Sequence, residues 1–578
     1  MNNKAQKYVV YRAVIVCSVF LLWLAAIGVR AGYLQLYQGA WLSEQAADQY
    51  EKELTIQGKR GTVYDSRHQA MAVSIETSSV AAYPVHIEDK PRAAADLAKA
   101  LHLKPKAVLE KLNRKRSFVW LKRQAGPKET TAVKKLGLKG VDFVVEYSRF
   151  YPNTTLASQV LGFTGIDGHG LEGLEFYYDK ELSGSQTSFT ICKDALGRGF
   201  DAQIPPSGGQ AGNNLVLTID RQIQFIAEQA LAEAVTKNNA LSGMAIVMEP
   251  ATGAIRALVH YPLFNPNNFR NYDRSTWRNR AITDPFEPGS TMKIFSAAAA
   301  LQSGRSGPDT IYYCENGKYR VGPHIVNDTK PHQWLSLQQI VKYSSNIGAV
   351  KIVEQIGSRT LYDYLKRFGF GELTAIDCPG ESSGSLLNYK RWTVVDSGAI
   401  AFGQGIAVTA LQLITAASAL ANDGIMMRPY MVQAVTDPVG RPLRKVEPVV
   451  LRQVVSPETA LRVRRIMRTV ITEGGTGTQA DLEGYAVCGK TGTAQKIDSS
   501  GKYARNRYVS SFIGFAPTER PVLAVLVVVD EPKGTTYGGL VAAPAFKQIV
   551  KETMSYLNIP PVDNLQKLTV SRDVKTSG

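Results

Sequence analysis

Ser290 and Lys293 stand three residues apart at the head of an alanine-rich run, Ile294-Phe295-Ser296-Ala297-Ala298-Ala299-Ala300-Leu301, that contains neither glycine nor proline. Pro288-Gly289 ahead of them is turn chemistry, and the run predicts a buried helix whose first turn puts the hydroxyl and the amine on one face. A serine hydroxyl needs a base to take its proton, and a lysine serves only where burial or a neighbouring cation lowers its pKa. The positive end of a helix in apolar surroundings favours both, since it opposes a second positive charge and suits a developing oxyanion. The pattern alone is common. Ser-x-x-Lys is expected about twice in a chain of this length, and it recurs at Ser499-Ser500-Gly501-Lys502, in a glycine–serine turn with no helix behind it.

Two further stretches offer partners. Tyr343-Ser344-Ser345-Asn346-Ile347-Gly348 sets a hydroxyl and an amide before a predicted helix, and standing alone it reads as an ordinary helix cap. The run from Gly484 to Thr491 fits the phosphate-loop pattern GxxxxGK[ST]. Its middle residues, Tyr485-Ala486-Val487-Cys488, prefer a strand, and nothing helical follows, whereas a phosphate loop needs small residues leading into a helix N-terminus. Read as a strand, Lys490-Thr491-Gly492-Thr493 alternates: Lys490 and Gly492 face one side, Thr491 and Thr493 the other, unless a bulge intervenes. The glycine would let a substrate backbone approach, and the lysine and hydroxyls suit a carboxylate. Gly168-His169-Gly170-Leu171-Glu172-Gly173 matches GxGxxG, but it lacks a clean preceding strand and carries Glu172 where a phosphate would sit, so a dinucleotide fold is excluded. Seven histidines and five cysteines show no ligand-pair spacing, so neither a metal site nor a cofactor is expected.

The chain has 578 residues, 44% hydrophobic and 20% charged, with a net charge of +17. The basic residues are spread widely and form no zinc-finger, RNA-recognition or homeodomain-like pattern, so no nucleic-acid partner is expected; a surface working beside anionic lipid or an anionic polymer fits the charge, and a solvated basic surface is the alternative. Lys4, Lys7 and Arg12 precede the charge-free run from Ala13 to Val29. Residues 13–30 are therefore predicted to span a membrane once, with the tail 1–12 in the cytoplasm and the rest outside the inner (cytoplasmic) membrane. A signal peptide cleaved near Ala26-Ile27-Gly28 is the alternative, and Arg30 sits badly just after such a point. Cys192, Cys314, Cys378 and Cys488 would then lie where disulfides can form, and they are expected as buried free thiols.

The elements that must carry these residues divide at 205–214, a linker rich in proline, glycine and asparagine. Before it, residues 31–204 form an N-terminal module: a helix from Tyr33 to Glu53, a basic helical stretch over 91–138 and a strand at 141–145. After it, residues 215–556 form an α/β (α+β) domain with strands at both ends and helices between, a sheet covered by helices. The polar segment 557–578 is expected to be disordered.

Ser-x-x-Lys, Ser-x-Asn and Lys-Thr-Gly in this order resemble the signature set of penicillin-recognising serine enzymes. Asn279-Arg280-Ala281-Ile282-Thr283-Asp284, Phe402-Gly403-Gln404-Gly405 and Glu473-Gly474-Gly475-Thr476-Gly477-Thr478 resemble class B penicillin-binding proteins. So do Arg60-Gly61, Arg149-Phe150-Tyr151-Pro152 and Gly170-Leu171-Glu172-Gly173 in the N-terminal module. The likeness runs from the anchor to about residue 555 and is greatest to the division-specific (septal) transpeptidases. It departs at Asp65-Ser66-Arg67-His68-Gln69, where that family usually has Asp-Arg-Asn-Gly. The resemblance implies a penicillin-binding transpeptidase or serine β-lactamase-like domain on an elongated, dimerisation-type pedestal. It implies that Ser290 attacks the penultimate D-alanine of a stem peptide, with Lys293 as base, Ser344 as proton relay and Asn346 orienting Lys293 and the substrate amide. Lys490 and Thr493, with Thr491 and Gly492 between them, would hold the terminal carboxylate, and the amides of Ser290 and Thr493 would form the oxyanion hole. The implied partners are peptidoglycan stem peptides on lipid-linked glycan, β-lactams as inhibitors, a membrane-embedded glycosyltransferase and other divisome proteins. An elongation-type transpeptidase, a β-lactamase and a non-catalytic divisome scaffold are the alternatives.

Overall fold

The computed structural model describes residues 3–42, 51–114, 116, 118–192, 209–498 and 500–561. The chain forms two compact units, and both are discontinuous in sequence. The first comprises Met1–Gly58, Glu76–Ser148 and Ser185–Gln210, the second Lys59–Ile75, Arg149–Gly184 and Ala211–Gly578. The division expected at 205–214 therefore differs from the one observed, since residues 59–75 and 149–184 of the expected N-terminal module belong to the same unit as the C-terminal domain.

In the first unit, helix α1 (Asn3–Gly32) is apolar on all sides, and Leu21, Leu22 and Trp23 stand exposed, as a lipid-facing helix requires. The stretch Lys7–Tyr37, which contains an 18-residue window of mean hydropathy 2.3, is long and apolar enough to cross a membrane. The helix expected from Tyr33 to Glu53 is not continuous: a π-helical turn covers Tyr33–Tyr37, and Glu51–Gln57 is a strand paired antiparallel with Gln186–Cys192. The basic stretch 91–138 is likewise interrupted. Helices Lys90–Leu101, Pro105–Leu112 and Pro127–Leu136 flank a strand, Val119–Ala125, whose Val119, Leu121 and Ala125 point inward. Each of these helices opens on proline in its first turn, where a missing N–H costs nothing. Leu97, Leu101, Val108, Leu112 and Val133 close a small core over that strand.

The second unit is built on a five-stranded antiparallel sheet. Its strands are β1 (Ser242–Met248), β2 (Ile255–Tyr261), β3 (Cys488–Ile497), β4 (Tyr503–Ala516) and β5 (Leu523–Asp530), in spatial order β3-β4-β5-β1-β2. Strands covered on both faces read as continuous apolar runs, and β5 does so for this reason. Val525, Val527 and Val529 face helices α2 (Arg221–Lys237) and α8 (Ala543–Tyr556). Ala524, Leu526 and Val528 face the opposite layer. That layer holds α3 (Lys293–Gln302), α4 (Leu337–Tyr343), α5 (Asn346–Ile356), α6 (Ala410–Ala421) and α7 (Pro457–Ile471). All of α6 and all but the last residue of α3 are buried, so these two helices need no polar face.

The strand Asn214–Leu217 runs parallel to Val63–Tyr64 and antiparallel to Val432–Thr436. Beside it, Arg60 and Arg149 each contact the buried Glu175 carboxylate at 2.6 Å, and Arg60 also reaches Asp179 at 2.6 Å. Burial pushes the Glu175 carboxyl up, but the two arginines outweigh it and hold it below its ordinary value. The divergent turn at 65–69 is tied by Asp65 Oδ1, which accepts the amides of Arg67 at 2.9 Å and Gln69 at 2.7 Å while His68 takes φ +58°.

Cys314, Cys378 and Cys488 are buried free thiols, Cys17 is free and exposed on α1, and the side chain of Cys192 lies outside those described. The tail expected to be disordered from 557 begins packed. Leu557 and Ile559 lie against the core, and the Tyr485 hydroxyl donates to the Ile559 carbonyl at 2.8 Å. Residues 562–578, the remainder of that expectation, lie outside the described residues.

Candidate active site

Ser290 sits on a 3-10 turn, Gly289–Met292, that passes directly into α3 at Lys293. The sequence suggests an α-helical first turn for both residues. A 3-10 turn eclipses positions i and i+3, which brings the Lys293 Nζ to donate to Ser290 Oγ at 2.9 Å. Gly289 makes the turn with φ +55°. Its amide donates to the Gly403 carbonyl at 3.0 Å, and a Cβ at Gly403, itself at φ +86°, would meet the Gly289 carbonyl oxygen at 2.1 Å. The Phe402-Gly403-Gln404-Gly405 motif is thus the backing of the Ser290 loop.

Lys293 is 1% exposed. Its Nζ also donates to the Ser344 carbonyl at 2.6 Å, to Asn346 Oδ1 at 2.7 Å and to Ser344 Oγ at 3.2 Å. Burial pushes this amine down to about 7, against the opposing pull of Asp328. Ser344 ends α4 in the left-handed region at φ +60°, a conformation that turns its carbonyl and hydroxyl toward Lys293. Ser345 then caps α5, accepting the Gly348 amide at 2.8 Å.

Lys490 is fully buried. Its Nζ donates to Ser344 Oγ at 3.0 Å, to the Thr491 carbonyl at 3.0 Å and to Thr491 Oγ1 at 3.1 Å. One hydroxyl, Ser344 Oγ, therefore sits between two amines. Burial, then the nearby positive charge of Lys293, hold Lys490 well below its ordinary range. Two ammonium groups around one hydroxyl in a dry site oppose each other.

The alternation expected along β3 is present only in part: Thr491 and Thr493 line the cleft and Gly492 packs behind it, but the Lys490 amine reaches the cleft-wall hydroxyls of Ser344 and Thr491. Gly492 is not the open approach for a substrate that its position suggests. A Cβ there would meet Ser511 Oγ at 2.2 Å and Thr291 Cγ2 at 2.9 Å, so the glycine is a close-packing contact between β3 and the Ser290 turn. Thr491 Oγ1 lies 3.1 Å from Thr476 Oγ1, which ties in the 473–478 motif. Thr493 Oγ1 accepts the Gly538 amide at 3.2 Å, and the Thr493 carbonyl lies against Gly289.

Sequence reasoning missed Asp328. Its Oδ1 accepts the amides of Asn346 at 2.5 Å and Ile347 at 3.1 Å, and its Oδ2 accepts from the Ser345 hydroxyl. The preceding Asn327 carbonyl takes the Asn346 side-chain amide at 3.0 Å. Nothing local marks this aspartate, because its partners lie well downstream in the chain. Tyr503 was also missed; its hydroxyl donates to Glu287 at 3.2 Å at the rim of the cleft, and Glu287 accepts the Gly405 amide at 2.8 Å. The cleft itself has a volume of about 840 Å³, with Ser290, Ser344, Asn346, Thr491 and Thr493 on its walls. Among the described residues no cluster of histidine, cysteine, aspartate or glutamate could hold a metal ion.

Residues 243–551 match the penicillin binding protein transpeptidase domain, and residues 55–217 match the penicillin-binding protein dimerisation domain. The chain belongs to the penicillin-binding protein transpeptidase family. The dimerisation domain ahead of the transpeptidase domain places it in class B. This penicillin-binding protein is 32% identical over 563 residues to the peptidoglycan D,D-transpeptidase FtsI of Escherichia coli K12, covering 96% of this chain and 93% of that one. It is 35% identical over 571 residues to the stage V sporulation protein D of Bacillus subtilis 168, covering 96% and 87%. It superposes on the crystal structure of penicillin binding protein 3 from Mycobacterium tuberculosis complexed with aztreonam with a TM-score of 0.69 at 27% identity, covering 88% of this chain and 98% of that one.

Proposed function

We propose that this penicillin-binding protein is a D-alanyl-D-alanine transpeptidase that cross-links peptidoglycan stem peptides in septal wall synthesis and is acylated covalently by β-lactams. The observation that carries the reading is the 2.9 Å contact between Ser290 Oγ and a buried Lys293 amine whose pKa lies near 7. Neutral Lys293 takes the Ser290 proton as Oγ attacks the carbonyl of the penultimate D-alanine. The amides of Ser290 and Thr493 receive the oxyanion. The departing D-alanine amine takes its proton through Ser344 Oγ, which touches both Lys293 and Lys490. Lys490 and Thr493 hold the substrate carboxylate, and Asn346 orients Lys293. An amine from a second strand then attacks the acyl-enzyme, so the bond energy is kept in the ester and no ATP is needed.

The anchor α1 with basic residues on its N-terminal side supports a cytoplasmic N-terminus and a catalytic unit outside the membrane. In that setting strand polymerisation comes from a membrane-embedded glycosyltransferase, and other divisome proteins are the natural partners. A fluorescent penicillin should label the wild type covalently and fail to label Ser290→Ala. Equal labelling of both removes Ser290 as the nucleophile. A tagged copy should concentrate at midcell during division; uniform sidewall fluorescence assigns the protein to elongation.

A further inference from the structure

Strands Ile311–Tyr313 and Trp334–Ser336 pair antiparallel with Tyr313 directly opposite Trp334. Tyr312 and Leu335 point into the core, while Ile311, Tyr313 and Trp334 are exposed. Trp334 is 62% exposed and Tyr313 37%, and their rings stand 4.8 Å apart at 46°. Ile311, also exposed, extends the same face. A paired tryptophan and tyrosine held out on a rigid ribbon is an apolar surface with polar tips, the form that suits a partner with both apolar and hydrogen-bonding faces.

The ribbon is continuous with the cleft. Thr329 and Lys330 line the cleft a few residues before Trp334. His332 stacks at 5.1 Å on Tyr343, the neighbour of Ser344. Cys314, which follows Tyr313, has its Sγ 3.8 Å from Ser345 Oγ. Standard backbone dimensions then put the Tyr313 backbone within about 13 Å of that of Ser345. A stem peptide of four residues with its lactyl link spans about 17 Å when extended. From Ser290 Oγ the path through Lys293 Nζ and the Ser344 carbonyl to the Ser345 backbone adds about 8 Å, so the ribbon lies within about 21 Å of the acylated serine, the span of an extended stem peptide together with its first sugar ring.

We propose that Trp334 and Tyr313 form a platform for the sugar rings of the glycan strand whose stem peptide occupies the Ser290 cleft. This deepens, and rests on, the transpeptidase reading. The C–H face of a hexosamine ring lies flat on the Trp334 indole, with the Tyr313 ring, tilted 46° to it, closing one edge, while its hydroxyls and acetamido group stay in water. The platform recognises the sugar and leaves the peptide to the cleft.

The test compares acylation of the full chain by a disaccharide pentapeptide and by the free pentapeptide of the same sequence, with the free peptide as each variant's own reference. Penicillin labelling counts the folded sites. Wild type should favour the sugar-linked substrate, and Trp334→Ala or Tyr313→Ala should reduce that preference about five- to tenfold, while Trp334→Phe should retain most of it. A wild type without the preference, or alanine variants that keep it, overturns the proposal. A photoreactive side chain at position 334 should crosslink to wall glycan in cells, and crosslinking to a protein instead overturns it too. A wild type acylated by penicillin but showing no sugar preference sinks the platform alone. One acylated by neither penicillin nor peptide sinks the transpeptidase reading and the platform with it.

Discussion

Asp328 Oδ1 accepts the backbone amide of Asn346 at 2.5 Å. The carboxylate thereby fixes the first turn of α5 and the elbow that aims Ser344 and Asn346 at Lys293, and its charge opposes the fall of the Lys293 pKa. Asp328→Asn keeps an acceptor at the cap but deletes the charge. The acid limb of the acylation–pH profile should then move to lower pH, measured by stopped-flow with a chromogenic cephalosporin. Asp328→Ala also loosens the elbow and should slow acylation by up to about 10²-fold. A profile superimposable on wild type for the asparagine variant would rule out the electrostatic role.

For the wild type, penicillin acylation should rise with pH and level off above about 7, because the base must be neutral and Lys293 is drawn down to about 7 by burial. The same shift acts on stability. The folded-state pKa lies below the ordinary lysine value of 10.5, so between these values the unfolded chain binds a proton that the folded chain does not. The unfolding free energy contributed by Lys293 therefore rises with pH across that window and is smallest at and below its lower end. Thermal shifts between pH 7 and 10 should show a steeper rise for wild type than for Lys293→Met.

Gly403→Ala would put a methyl group 2.1 Å from the Gly289 carbonyl oxygen at a position with φ +86°. The Ser290 turn has to move to accommodate it. The expected outcome is loss of about 10²-fold in acylation rate, with destabilisation of about 1–3 kcal/mol, read from labelling kinetics and chemical denaturation.

Arg60→Ala leaves Glu175 buried with Arg149 as its remaining arginine. Breaking one side of a buried ion pair costs about 3–5 kcal/mol. The variant should melt at lower temperature in calorimetry, and the penicillin-labelled fraction should fall only as the folded fraction falls.

The three chemical stretches were legible because each is contiguous. Ser290 with Lys293, Ser344 with Asn346, and Lys490 with Thr493 each carry their spacing in a local pattern, and the structure gathers Ser290, Lys293, Ser344, Asn346 and Lys490 into one hydrogen-bonded group. Asp328 was not legible because its helix-capping partners, Asn346 and Ile347, are set beside it only by the tertiary fold. The role of Gly492 was misread because a glycine shows that something comes close without saying what; here Ser511 and Thr291 do. The strand Val119–Ala125 was hidden in a basic helical stretch because Lys122 and Arg123, half-buried and paired with Glu129 and Glu146, interrupt its apolar alternation. The boundary between the units was hidden for a similar reason. Val63–Tyr64 is a two-residue strand, and the Thr62 amide is satisfied by Asn214, 152 residues later.

The discontinuous make-up of the second unit has a consequence for biogenesis. The ribosome delivers Lys59–Ile75 and Arg149–Gly184 first, so Arg60, Arg149 and Glu175 are all made before Ala211. Ser290 and Lys293 follow, but β3, with Lys490, and its neighbours β4 and β5 are synthesised later still. The nucleophile and its base are therefore made well before the second amine and the wall that completes their dry enclosure. Competence for acylation waits for β3, which is made long after the anchor helix.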